Sequence, residues 1–239
     1  MPTTWPKVRP KLTQEQAAVI DDWYGEFLTD TLPGKFGWID RFNHTYAART
    51  AVVGGRTLEI GPGTGSHLEF EHLDDQEEYV GVELRDSLSS RLDRARFPNV
   101  RIVVGDCQAR LDFPDASFDR VLAIHILEHL DNLPAVLGEV RRLLRPDGRF
   151  SVVIPCEGGL GYGLGRRVTV QRQFERRYGM PYGWMISYEH VNRAREVLAE
   201  LRSGFHIEHI KWFPTRIPSV DLNVVVGLTL RPLAEPSLC

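Results

Sequence analysis

No stretch of the 239-residue sequence approaches 18 uninterrupted apolar residues, so its pattern offers no membrane-spanning helix. The opening MPTTWPKVRPKLTQEQ lacks the apolar core of an export signal, and a cytoplasmic protein is expected. Cysteine is scarce: Cys107, Cys156 and Cys239 are scattered and odd in number, which fits neither a disulfide framework nor a cysteine zinc site. An excess of positive charge is also missing. With 29 Lys and Arg against 32 Asp and Glu the net charge is −3, so nothing global draws the chain to nucleic acid or an anionic membrane. Internal repeats and low-complexity tracts are absent too. What remains, 42% hydrophobic and 26% charged residues, is the composition of an ordinary globular α/β domain.

Thr13 and Gln16 have capping-box spacing, and Val19, Ile20, Trp23, Tyr24, Phe27 and Leu28 follow at helical intervals until Pro33-Gly34. A second helix is expected from Gly37 to Ala51. Together they predict an N-terminal helical cap over residues 1–52. From Arg56 onward short apolar runs alternate with helical segments, the pattern of parallel strands joined by crossovers. Strands are expected at Thr57–Ile60, Tyr79–Glu83, Val100–Val104, Arg120–Ile124 and Arg149–Ile154. Asp131 or Asn132 would cap a helix begun by Pro134. A helix around Val191–Leu201, a strand at Phe205–Trp212 and an apolar run at Leu222–Leu230 would close the fold. The expected architecture is a doubly wound, Rossmann-like sheet of about seven strands with the last antiparallel. Its core would occupy residues 53–156, an insertion 157–192, and the closing helix and hairpin 193–239.

LEIGPGTGSHL, at residues 58–68, is the most informative stretch: Gly61, Gly63 and Gly65 bare the backbone just past the first strand. Glu83 ends the next strand 20 residues after Gly63, the spacing at which a carboxylate accepts from a ribose diol. The glycines read G-x-G-x-G instead of the dinucleotide G-x-G-x-x-G/A. Residues 57–84 contain no Lys or Arg, while Glu59, Glu83 and Asp106 gather negative charge, a balance that suits a cationic ligand better than a pyrophosphate.

LEIGPGTGSHL, VGVEL and GDCQARLDFPDASFDRVLAIHILEHLDNLPAVLGEVRRLLRPDGRFSVVIP, in this order over about residues 56–155, resemble the class I S-adenosylmethionine-dependent methyltransferases, the ubiquinone and small-molecule enzymes among them. The resemblance implies that Gly61, Gly63 and Gly65 approach the cofactor's methionine end, with Glu59 supporting the loop. Glu83 would bind the ribose, Leu84 would pack on adenine, Asp106 would accept from the adenine amino group, and Cys107 would donate a backbone N–H. His125 would stand between cofactor and acceptor. The plainer reading of Glu83 and Asp106 is helix capping, and that of Cys107 is packing.

Methyl transfer needs alignment more than a strong base, but His125 and, where the insertion rejoins the fold, His190 are candidates to take the acceptor's proton. His129 is read as structural. A metal test of His125, Glu128 and His129 at helical spacing fails on chemistry: ubiquinone-type enzymes carry a carboxylate at the first position, and magnesium prefers oxygen. No metal is expected. The acceptor site should draw on Arg166, Arg167, Tyr182, Trp184 and Tyr188 of the insertion and on Tyr24 and Tyr46. Five arginines within residues 166–177 suggest an anionic acceptor, and RNA fits less well because the chain is acidic. The expected activity is methyl transfer to oxygen or nitrogen of a small metabolite or glycan-type intermediate. Its rivals are a non-catalytic S-adenosylmethionine-binding protein and a nicotinamide-dependent oxidoreductase.

Overall fold

The computed structural model describes residues 4–23, 37–85, 92 and 96–233. Tyr24, Phe27, Leu28, Pro33, Gly34 and Cys239 lie outside the described residues. Seven strands form one sheet: β1 (Arg56–Ile60), β2 (Glu78–Glu83), β3 (Val100–Val104), β4 (Phe118–Ile124), β5 (Leu144–Pro155), β6 (Phe205–Phe213) and β7 (Val225–Pro232). Their order is β3-β2-β1-β4-β5-β7-β6. The first five strands pair in parallel, whereas β7 runs antiparallel to both β5 and β6. The chain reverses its winding between β1 and β4, so the carboxyl ends of those strands form the crevice where such sheets bind ligands.

Alternation along the strands sends side chains into two cores. Val121 and Ala123 join Leu58, Val80 and Val82 on one face, under α3 (Leu133–Leu143) and α7 (Ala194–Gly204). Leu122, Val153 and Val225 face the other side, under α2 (Gly37–Ala48). Buried on both faces, the central strands read as continuous apolar runs.

Helix α1 (Gln14–Asp22) has the capping box that Thr13 and Gln16 predict. Its Ile20 and the adjoining Trp23 pack with Phe174, Tyr182 and Met185 of the insertion. The insertion itself is helical: α4 (Leu160–Val168), α5 (Val170–Tyr178) and α6 (Gly183–Glu189). The two N-terminal helices therefore enter different layers, because the Phe42, Tyr46 and Ala47 stripe of α2 is spent on the sheet. A second departure follows the glycine loop, where 3-10 turns at Ser66–Phe70 and Leu73–Asp75 stand in place of a crossover α-helix. Their side chains are committed elsewhere: His67 and Glu71 are drawn beneath the sheet face to Arg120, which has no exposure. Asn132 caps α3 without a side-chain hydrogen bond, and Asp131 instead accepts from Arg9.

Candidate active site

The three glycines of the loop have positive φ, and each does something different. A Cβ at Gly61 would stand 2.8 Å from Ile126 Cδ1, and one at Gly65 would stand 2.2 Å from Leu92 Cδ1. Gly63 has open space instead. Gly61 and Gly63 line a cavity of about 240 Å³ at the strand ends, whereas Gly65 serves the packing behind them. The Gly63 N–H donates to Glu83 Oε2 at 3.0 Å, and the Arg85 N–H donates to Oε1 at the same distance. One carboxylate thus fixes the loop and keeps its remaining lone pairs for a ligand.

Leu84 lines this cavity although it is 62% exposed, which leaves a flat apolar surface beside Glu83. Asp106 lines it too and accepts from the Gln108 backbone N–H at 2.9 Å. Cys107 closes one wall. Burial, and then Asp106, push its thiol up to about 12, so no nucleophilic thiolate is present. Glu59 is not brought to the cavity: it lies behind the loop, 2% exposed, accepting from the Tyr79 hydroxyl at 2.7 Å. Burial raises its carboxyl pKa. Arg9, which the sequence did not single out, joins this wall from the N-terminal segment. It pairs with Asp131 and donates to the carbonyls of Tyr188 and His129.

His125, just beyond β4, adopts φ of 51° while its backbone N–H donates to Val153. That conformation is uncommon for a non-glycine residue and turns the ring to the junction of the cavity with a second one of about 580 Å³. Nδ1 lies 3.5 Å from Glu128 Oε1, and Nε2 is buried without a hydrogen-bond partner. Leu127–His129 forms a single 3-10 turn, so the helical set of His125, Glu128 and His129 does not converge. The ligand-type side chains that gather, each with an atom within 4.8 Å of the others, are Glu128, His129 and His190. Burial alone would raise the Glu128 pKa, but the three imidazoles around it hold it down to about 2. Burial likewise opposes protonation of His129, and Glu189 with Glu128 outweighs it and raises the pKa.

The larger cavity is walled chiefly by apolar groups, among them Trp23, Trp38, Ile39, Met185 and Val225. His190 projects from the end of α6, with Nδ1 at 3.2 Å from Glu157 Oε2 and its ring edge-on to His129 at 4.8 Å. A carboxylate only accepts, so Nδ1 carries a proton, and in the neutral ring Nε2 is the nitrogen with the free lone pair. Arg166 holds both Glu157 oxygens, at 3.0 and 3.1 Å, and lies over the rings of Tyr162 and Tyr182. Of the expected acceptor residues, Arg166 and Tyr182 line this cavity. The other described ones stand elsewhere. Tyr46 is 3% exposed against the sheet, its hydroxyl 3.0 Å from His209 Nδ1, since the stripe of α2 faces that way. Arg167 points to solvent, Trp184 packs on Phe174, and Tyr188 lies under the Arg9 guanidinium. Glu157 went unnoticed in the sequence. Its position next to Cys156, at the end of β5, was the only signal available.

Residues 58–152 match the profile of a methyltransferase domain. A sterol 24-C-methyltransferase of Neurospora crassa is 35% identical over 102 residues, which are 42% of this chain and 24% of that protein. A fatty-acid O-methyltransferase of Mycolicibacterium smegmatis is 34% identical over 109 residues, 45% of this chain and 39% of the relative. The chain spans less than half the length of these curated relatives. A crystal structure from Pyrococcus horikoshii superimposes with a TM-score of 0.65 at 19% identity, covering 89% of this chain and 99% of the other, a likeness of fold. Residues 58–152, whose glycine loop and Glu83 meet at the switch point of the sheet, thus form a domain of the class I S-adenosylmethionine-dependent methyltransferase kind.

Proposed function

We propose that this protein moves a methyl group from S-adenosylmethionine to a hydroxyl oxygen of an acceptor with a largely apolar body. The observation that carries this reading is the meeting of two cavities at His125, His129 and Glu189. One has the ribose-type carboxylate, the exposed Leu84 and the open Gly63; the other is apolar with an imidazole on its wall. These residues suit the cofactor, whose sulfonium supplies an electrophilic methyl group when bound.

Glu83 binds the ribose, Leu84 packs on adenine and Asp106 accepts from its amino group. Apolar walls exclude water and orient the acceptor. His190, held in its tautomer by Glu157, accepts the hydroxyl proton at Nε2 as the new C–O bond forms. His125 is the second candidate base and borders both ligands. An anionic acceptor finds less support, because Arg166 is already neutralised by Glu157. The names of the two relatives span carbon and oxygen acceptors; the His190–Glu157 pair favours an acceptor that must lose a proton.

Calorimetry with S-adenosylmethionine, S-adenosylhomocysteine and NAD, followed by a methyl-transfer screen of hydroxylated lipids and small hydroxylated metabolites, tests the reading. Binding of NAD alone would overturn it. With an acceptor in hand, His190→Asn is expected to lower kcat by about 10²- to 10⁴-fold while leaving cofactor affinity intact. An unchanged kcat removes His190 from the chemistry.

A further inference from the structure

Helix α4 separates the larger cavity from solvent, and its two faces are unlike. Tyr162, Gly165 and Arg166 line the cavity. On the opposite face Leu160, Leu164 and Val168 recur every fourth residue with 78%, 65% and 53% of their surface exposed. A solvent-facing helix normally turns polar residues outward on such a face. The start of α4 rests on the turn before β7, where the Gly161 N–H donates to the Asp221 carbonyl at 2.7 Å. That turn adds Ile217 and Leu222, 52% and 50% exposed.

The cations nearby are as conspicuous as the leucines. Arg167 sits between Leu164 and Val168 on the same face, Arg216 adjoins Ile217, and Arg172 and Arg176 follow on α5. All four are exposed, and none forms an ion pair among the described residues. Exposed apolar groups at helical spacing, bordered by unpaired arginines, match the chemistry of an anionic lipid surface: side chains enter the headgroup boundary while guanidiniums meet phosphates.

We propose that α4 and the 217–222 turn dock this protein on an anionic lipid membrane. The helix lies in the interface plane and does not span it; among the described residues no helix is long and apolar enough to cross a bilayer. The docking face lies on the outer side of the wall that bounds the acceptor cavity, so a lipid acceptor would start close to where it reacts. Docking itself stands independently of the methyl-transfer reading.

Sedimentation with vesicles is the test. The protein is expected to pellet with phosphatidylcholine vesicles containing phosphatidylglycerol, and about tenfold less with phosphatidylcholine alone. Leu164→Glu combined with Val168→Glu should weaken binding at least about tenfold, and Arg167→Glu with Arg172→Glu should do so mainly for the anionic vesicles. Leu164 and Val168 are more than half exposed and Arg167 and Arg172 are exposed, so melting temperature and S-adenosylmethionine affinity should stay unchanged, which separates this result from failure of the enzyme reading. Wild-type protein that remains in the supernatant with both vesicles, or double variants that bind as well as wild type, would overturn the proposal. So would a dimer in analytical ultracentrifugation that Leu164→Glu splits, since the face would then be a contact between copies of this chain.

Discussion

Arg120 has no exposed surface, yet its guanidinium is fully engaged: Nη2 donates to Glu71 Oε2 at 2.6 Å and Nε to Thr57 Oγ1 at 3.3 Å. Glu71 also takes Nε2 of His67 at 2.7 Å and an amide N–H of Gln76 at 2.9 Å. Burial would raise the Glu71 pKa, but His67 and Arg120 bring it to about 2. Glu71→Ala strands a buried cation, so urea unfolding should show a loss of about 3–5 kcal/mol; Glu71→Gln, which keeps an acceptor, should lose less. Nothing in the sequence marks this cluster, because Arg120 stands at the head of the apolar run of residues 121–124 and its carboxylate partner, Glu71, comes from the segment just after the Ser66–Phe70 turn. The place of Glu83 at the cavity was legible, since it depends on strand position alone. His190 was legible as a residue type near the site, but Glu157, which sets its tautomer, depends on a contact 33 residues away.

At the scale of elements, Asn192 ties the insertion to the Leu127–His129 turn. It is fully buried and donates to the carbonyls of Leu127 and Leu130 at 2.8 and 2.7 Å, while its own N–H reaches Glu128. Asn192→Ala should cost about 1–3 kcal/mol for each carbonyl left unsatisfied. It should also lower kcat more than cofactor affinity, a split that steady-state kinetics beside calorimetry would show. The strands were readable within two or three residues at most ends, the central ones because burial on both faces makes them largely apolar. The insertion was not: five glycines between residues 158 and 165 suggest a loop, and α4 forms because its neighbours supply the contacts that propensity does not. The 3-10 turns after the glycine loop were missed for a related reason, since burying His67 and Glu71 decides the backbone there.

For the whole molecule, acid should act in two stages. Burial and the neighbouring His67 depress the His44 pKa to about 4, so the folded state prefers neutral His44. Its contribution is present above the unfolded value near 6.5 and is lost as pH falls towards 4. Glu71 and Glu128, both held near 2, add their losses from about 4.5 downward, where the unfolded chain takes up protons first. Melting temperature should therefore already fall between pH 6.5 and 4, as differential scanning calorimetry can record. His44→Gln should flatten that upper stage and leave the lower one. A wild-type profile flat down to pH 4 would contradict it.

The histidine after β4 has one further consequence. Because His125 faces both cavities, whatever ring orientation one ligand selects is the surface the other ligand meets. Donor and acceptor affinities are then linked, and linkage is reciprocal: the factor by which cofactor changes acceptor affinity equals the factor by which acceptor changes cofactor affinity. Replacing His125 should alter that shared factor, making the two chambers behave as independent sites.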